Sequence, residues 1–404
     1  MIFVGVDWPE GHNDVLVMDE QGAVLGKGRF GVGVGGLAQL HGLVADHAAE
    51  PAEVLVGIEI DRGLIVESLV GAGYRVYGIN PLAVSRYRDR HTTSGAKSDA
   101  ADAKLLADLV RTDRHNHRPV AGDSDEASAI RLLARAHQGL VWTRQRQVGA
   151  LRSALRDYFP AALDAFGTDL GSADALGVLA IAPTPQAARG LSRAKIASAI
   201  RRAGRERNLD RRATEIQQAL RADQPQAPDV VADAFGAASA ARVAVLVSLN
   251  QQIAALEAAL AEHFDRHPDA EILRSLPGLG LVLGARVLGE FGDDPSRFSD
   301  ARGRKAYAGT APITKASGRS LVVLARVARN RRLADACDRW AFCSLNASPG
   351  GRRYYDALRA RGKTHSQATR QLANRWVGIL HACLERRESY REEVAWPELL
   401  SLAA

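Results

Sequence analysis

Two carboxylates three residues apart, Asp99 and Asp102 in GAKSDAADAKLLADLV (residues 95–110), open a segment whose apolar positions recur with helical spacing. On a helix such a pair lies side by side, about 5–6 Å apart at Cβ, where like charges repel by a few tenths of a kcal/mol. A bound cation turns that repulsion into attraction. Asp in a first turn also caps exposed N–H groups and complements the helix dipole, so the pair alone leaves cap and metal ligand both open. Two more acids stand at expected strand ends: IFVGVD (residues 2–7) finishes on Asp7, and EVLVGIEI (residues 53–60) carries Glu59 near its end. Four acids within a few Å of each other cannot all stay ionised without cations among them, which is the requirement of two-metal phosphoryl transfer. Hard carboxylate oxygens suit two Mg²⁺ or Mn²⁺ ions rather than zinc. Lys97, just before the pair, either holds a scissile phosphate or balances charge.

These acids need elements to gather them. After IFVGVD, the run NDVLVMDEQGAVLGKGRF reads as two more strands around a turn at Gln21-Gly22, completing an antiparallel meander. The glycine-rich GVGVGG (residues 31–36) leads into a helix to about Ala49. The strand EVLVGIEI, a helix LIVESLVGAG, a strand YRVYGIN and the helix after Lys97 follow. Three meander strands and then alternating helix and strand predict an α/β layer with a mixed sheet over residues 1–120. In a ribonuclease-H-like sheet the first strand is central and its neighbour follows the first helix, so Asp7 and Glu59 converge.

Residues 121–270 read as a helical, coiled-coil linker. One long helix spans 124–160, stopped by Pro160, and a second spans about 229–265. In the second, Leu246, Leu249, Ile253, Leu256 and Leu260 recur at alternating steps of three and four, a heptad seam. Two heptads favour packing on the 124–160 helix over a dimer zipper. Between them lies a Gly-, Ala- and Pro-punctuated stretch with a basic helix, SRAKIASAIRRAGRERN, to which the sequence assigns no role. Residues 271–404 read as mainly helical. They open on RSLPGLGLVLGARVLGEFGD, where Pro277-Gly278-Leu279-Gly280 joins two helices as in a helix-hairpin-helix. The free N–H groups of Gly278 and Gly280 could hold a phosphate without reading sequence, although an ordinary helix–helix turn uses the same small residues.

A chain of 404 residues exceeds one compact core, and 46% hydrophobic with 25% charged residues is a globular composition. No apolar run approaches the roughly 20 residues that span a bilayer, and the N-terminus lacks the basic region of a signal peptide. Cys337, Cys343 and Cys383 form no CxxC pair; together these features lead us to expect a cytoplasmic protein without membrane partners. The net charge of +7 is uneven: residues 301–404 hold 20 Lys and Arg against 8 Asp and Glu, and residues 1–120 hold 12 against 16. The basic end is suited to a polyanion, with Arg302, Arg304, Lys305 and Arg319 as nucleic-acid contacts.

The motifs carry a resemblance. Asp7 in VGVDW, Glu59 in GIE, and Asp99 with Asp102 in KSDAADA are similar to the DEDD set of the insertion-sequence transposases related to Piv-type DNA invertases. LPGLGLVLGARVLGEFGD and SRFSDARGRKAYAGTAPITKASGRS resemble that family's second conserved domain. The likeness covers roughly residues 1–115 and 270–385. It implies a RuvC-like N-terminal nuclease domain and a C-terminal transposase domain whose serine acts with the acids on DNA. The serine falls in TKASGRS, so the role passes to Ser317, which would form a covalent phosphoserine intermediate. The resemblance further implies a structured guide RNA that pairs with donor and target DNA, and since two duplexes are exchanged while one chain offers one serine, we expect a homo-oligomer, dimer or tetramer. Where the family often has a second glycine and a Lys soon after the serine, this chain has Arg319 and Ser320, and Ser320 is an alternative nucleophile.

Other classes meet specific obstacles. Actin-like sugar kinases also open with a strand ending in Asp, but they need Gly directly after it, and here Trp8-Pro9 follows. A structure-selective junction nuclease would use the four acids without Ser317. A non-catalytic nucleic-acid scaffold would use the acids only as caps and turns.

Overall fold

The computed structural model describes residues 1–8, 11–91, 99–120 and 122–397. The chain divides into two compact units, residues 1–123 with 294–299, and residues 124–293 with 300–404.

The first unit is built on strands β1 (Ile2–Asp7), β2 (His12–Met18), β3 (Val24–Gly31), β4 (Val54–Ile58), β5 (Arg75–Gly78) and the short β6 (Arg118–Pro119), in the order β3-β2-β1-β4-β5-β6. β1 runs antiparallel to β2 and parallel to β4, so the sheet is mixed, as the element order predicts, with β1 inside it. Helices α1 (Val34–Ala45), α2 (Leu64–Gly71), α3 (Pro81–His91) and α4 (Asp99–Asp113) join them. Strand alternation divides the apolar residues between two cores. Ile2, Val4 and Val6 with Val54, Val56 and Ile58 pack with Leu40 and Leu69 of α1 and α2. Phe3 and Leu55 pack with Leu106, Ala107 and Val110 of α4. Helix α3 is an addition to the elements expected from sequence; Asn80 Oδ1 accepts the Leu82 N–H at 2.8 Å just before its first turn.

The second unit is dominated by α5 (Asp125–Tyr158) and α11 (Asp229–Arg266), which pack along each other. Leu246, Ile253 and Leu260 of the heptad seam are buried, in keeping with packing inside one chain. By length and composition α11 could cross a membrane, with an 18-residue window of mean hydropathy 1.7. The expectation that no apolar run approaches spanning length is corrected to that extent. The length comes from Ala and Val positions interspersed with few charges.

Between the two long helices, residues 160–221 form α6 (Pro160–Phe166), α7 (Ala173–Ile181), α8 (Pro185–Arg189), α9 (Arg193–Arg202) and α10 (Leu209–Arg221) around a core of Leu155, Tyr158, Leu176, Ile196, Ile200 and Ile216. The remainder comprises α12 (Ala270–Ser275), α13 (Leu281–Phe291), α14 (Ala301–Ala308), a hairpin of β7 (Ile313–Ser317) and β8 (Ser320–Leu324), then α15 (Arg331–Ser344), α16 (Pro349–Ala360), α17 (His365–Arg386) and α18 (Glu392–Ala395). Trp340 and Trp376 are wholly buried with ring centroids 5.7 Å apart, and Trp376 Nε1 donates to Ser344 Oγ at 2.8 Å. This part is mainly helical, as expected, with the hairpin as its one departure among the described residues.

Candidate active site

β1 and β4 pair in register with Val6 beside Ile58, so the next residues, Asp7 and Glu59, hold equivalent places at adjacent parallel strand ends. Alternation assigns Asp7 to the face of Phe3 and Gly5, and continues Leu55 and Gly57 to Glu59. That is the face covered by α4. Both acids are half-buried.

The glycines set how close α4 comes. A Cβ on Gly5 would lie 1.8 Å from the Ala103 carbonyl oxygen, and one on Gly57 would lie 2.5 Å from that of Leu106. The direction of the helix follows from its contacts with β1. The Arg114 guanidinium, beyond its C-terminus, lies 5.9 Å from the Phe3 ring centroid, whereas Ala103 meets Gly5 two residues farther along the strand. The helix therefore runs against β1, and its first turn, Asp99 to Asp102, lies toward the Asp7 end.

Asp102 is buried, and its carboxylate accepts from Arg88 of α3. Asp99 begins α4, but its side chain, like all of Lys97, lies outside the described residues. Among the described residues no group of three or more His, Cys, Asp or Glu gathers closely enough to hold a metal ion. Asp7 and Glu59 bring hard carboxylate oxygens to adjacent strand ends, donors of the kind Mg²⁺ or Mn²⁺ takes, while Asp102 on α4 is paired with Arg88.

One contributor escaped the sequence reading. Asp14 stands directly opposite Asp7 in the β1–β2 ladder and so shares its face. It is 5% exposed and accepts from Arg29, at 3.0 Å through Nε and 2.9 Å through Nη2, while His12 Nε2 lies 3.1 Å from its Oδ2. The bidentate guanidinium offsets the charge of this carboxylate, which the ladder places opposite Asp7. Its signal was H-x-D on one strand face, directly after the loop that follows Asp7.

Ser317 closes β7 and pairs with Ser320 across a two-residue turn, Gly318-Arg319. Gly318 has φ +53 while Arg319 has no positive φ, the signs of a type II′ hairpin turn, which reserves its first central place for Gly. Ser317, Ser320 and Lys315 fall on one face of the hairpin and are exposed, as is Arg319 at the tip. Leu321 and Val323 are 69% and 62% exposed on the other face.

The remaining expected contacts divide. Arg302 is exposed in the first turn of α14, which Asp300 caps through the Gly303 N–H at 2.6 Å. Arg304 is buried, its guanidinium 5.1 Å from the Phe291 ring centroid, so it supports packing rather than a surface contact. Lys305 lines a cavity of about 360 Å³ with Arg375, Gly378, Arg386 and Tyr390. Burial, and secondarily Arg375, holds its ammonium below the ordinary lysine range. Gly278 has φ +76, and a Cβ there would lie 2.5 Å from the Ser344 backbone nitrogen, so its place is fixed by packing on α15. Gly280 faces open space at the N-terminus of α13.

Comparison with known proteins points to one family. Residues 4–160 match a family model for DEDD transposases of the IS110 type, and residues 270–356 match one described as the transposase IS116/IS110/IS902 family. The chain is 44% identical over 407 residues to the IS117 mini-circle protein of Streptomyces coelicolor, covering 100% of this chain and 98% of that protein. It is 32% identical to the 42 kDa protein of IS900 from Mycobacterium paratuberculosis, covering 96% of this chain and 97% of the other. With the 44.8 kDa protein of IS116 from Streptomyces clavuligerus it shares 29% identity over 96% of each.

Proposed function

Since the chain belongs to the IS110 family of transposases, and so to enzymes of DNA transposition and recombination, we propose that it cuts and rejoins DNA strands through a covalent serine–DNA intermediate. The observation that supports this most is the matched register of Asp7 and Glu59 on the sheet face where α4 begins. We read the first unit as RuvC-like: its first strand is internal, flanked by the meander on one side and parallel strands on the other. Two Mg²⁺ or Mn²⁺ ions held by Asp7, Glu59, Asp99 and Asp102 would supply activation of an attacking oxygen and neutralisation of phosphate charge.

Ser317 is the nucleophile, and its position at the end of an exposed strand leaves the hydroxyl open to a DNA backbone. Its Oγ forms a bond to phosphorus as one P–O bond to deoxyribose breaks. The departing strand keeps the oxygen as a hydroxyl and takes up a proton, while the serine proton passes to solvent. Attack on the phosphoserine by the hydroxyl of another strand reverses these steps and reseals DNA without an external energy source. Arg302, Lys305, Arg319 and the N–H groups at Gly280 hold backbone phosphates, and a structured guide RNA selects the sites by pairing. The working form is a dimer or tetramer, because two duplexes need more than the one serine of one chain.

The test is incubation of the full chain with Mg²⁺, the ends of its element and any co-purifying RNA, followed by a denaturing gel. A protein-linked strand that disappears in Ser317→Ala while DNA binding persists supports the recombinase. Cleavage unchanged in that variant points to a junction nuclease, and binding without metal-dependent cleavage on any substrate points to a scaffold.

A further inference from the structure

The bundle of residues 160–221 takes no part in the chemistry above, and its most basic helix faces outward. Residues 192–208 hold six basic side chains against one acidic, a net +5 in a chain whose total is +7. Ile196, Ala197, Ala199 and Ile200 turn α9 into the bundle, against α7 and α10. Its outward positions are Arg193, Ala194, Lys195, Ser198, Arg201 and Arg202. The helix is firmly seated. Ser192 Oγ caps it at the Lys195 N–H (3.3 Å), and a Cβ on Gly177 of α7 would stand 3.2 Å from the Ala199 carbonyl oxygen. The turn beyond is tied by Arg205 to Asp174, at 2.6 Å.

Arg205 is thus spent on structure. Arg193, Lys195, Arg201 and Arg202 are exposed and have no acidic partner among the described residues. The pattern around the face is specific: at about 100° per residue Arg193 lies on one edge of the exposed arc and Lys195 and Arg202 on the other, with Ala194 and Ser198 between the edges. A helix about 10–12 Å across fits lengthwise into the B-DNA major groove, which is roughly 12 Å wide. The edge cations therefore reach phosphates on both banks, while the small Ala194 and Ser198 between them let the helix sink into the groove. A-form RNA lacks this fit, because its major groove is too deep and narrow for side chains to read.

We propose that the outward face of α9 is a second nucleic-acid surface, separate from the cleavage residues, that docks in the major groove of duplex DNA. The proposal rests on the reading of the chain as an enzyme of DNA. It gives the middle region a function of its own, that of holding a duplex while chemistry proceeds elsewhere.

The experiment compares the full wild-type chain with the combined variant Arg193→Gln, Lys195→Gln, Arg201→Gln and Arg202→Gln. Fluorescence anisotropy reads binding of a 30-base-pair DNA duplex, and of an RNA duplex of the same sequence, at salt concentrations between roughly 50 and 200 mM. Each lost phosphate contact flattens the log–log salt dependence by about 0.9, so four flatten it by about 3.6 and weaken low-salt DNA binding at least tenfold, with RNA duplex binding unchanged. An unaltered DNA slope overturns the proposal, and so does an equal loss on both duplexes. Should the combined variant fail to fold, Lys195→Gln alone must flatten the slope by about 0.9. The protein-linked strand is scored in parallel. If wild-type protein never forms it, the recombinase reading fails, while the α9 surface is still judged by the slope.

Discussion

Gly5→Ala is the sharpest test of how the acids are brought together. The added methyl would sit 1.8 Å from the Ala103 carbonyl oxygen and 2.6 Å from the Ala107 nitrogen, both backbone atoms of α4. Ordinary contact begins near 3.4 Å, so α4 must move off β1 by about 1.5 Å or the sheet must bend. Neither neighbour is a flexible side-chain end, and the cost is expected at the upper end for overpacking, about 3 kcal/mol. Chemistry should suffer more than stability: the movement carries Asp99 and Asp102 away from Asp7 and Glu59, and a displacement of about 1 Å can cost about 100-fold in rate. The assay is the initial rate of Mg²⁺-dependent strand cleavage, read beside a urea melt of the same preparation. The matched control is Gly149→Ala in α5, where a Cβ meets nothing within 4 Å. It should keep full activity and gain about 0.5–1 kcal/mol from helix propensity. A Gly5→Ala protein with wild-type cleavage and wild-type stability refutes the claim that α4 is seated by this glycine to complete the site.

Three further outcomes follow from named contacts. Arg88→Met leaves the Asp102 carboxylate buried without its partner and should cost about 3 kcal/mol in denaturant. If Asp102 binds a divalent ion, millimolar Mg²⁺ should raise the melting temperature of this variant more than that of wild type, and an equal response counts against the ligand role. Glu290 of α13 is the acid-sensitive joint of the second unit. Burial alone would raise its pKa, but hydrogen bonds from Arg135 and Asn330, with the charges of Arg135 and Arg332, hold it below the ordinary value. Because the folded value is depressed, its stabilisation is complete above about pH 4.5 and is lost as pH falls through the folded value; Glu290→Gln should flatten that acid limb in pH-dependent melts. Gly318→Val should disfavour the positive φ of the hairpin turn and reduce formation of the protein-linked strand while the global melt stays within about 0.5 kcal/mol, since the hairpin is exposed.

The parts of the fold that were legible in the sequence are those whose cause is local. IFVGVD, NDVLVM and EVLVGIEI are short β-branched runs with turn residues at their ends, and they became β1, β2 and β4 nearly as bounded. The long helices were legible because apolar residues held helical period for several turns between Ser124 and Pro160 and again after Pro228. What escaped depended on partners distant in the chain. Arg88 lies in PLAVSRYRDRH, a segment of low apolar content, and nothing local says that its guanidinium meets Asp102 fourteen residues on. Within residues 160–221 the basic helix SRAKIASAIRRAGRERN was legible as α9, whereas α6 and α7 were not, because they are short and pack through Ala161, Ala162 and Ala175 without a marked apolar stripe. The β7–β8 hairpin escaped for the opposite reason. Its LVVL run looks like a core strand, yet these four residues are exposed. A strand that keeps Leu and Val in water carries a standing cost, and an exposed apolar patch of this kind marks an interaction surface. Leu321 and Val323 form this patch on the face opposite Ser317, while Val322 and Leu324 share the face of Ser317, so both sides of the hairpin keep apolar side chains in water, as a surface awaiting a partner does and a mere connector does not.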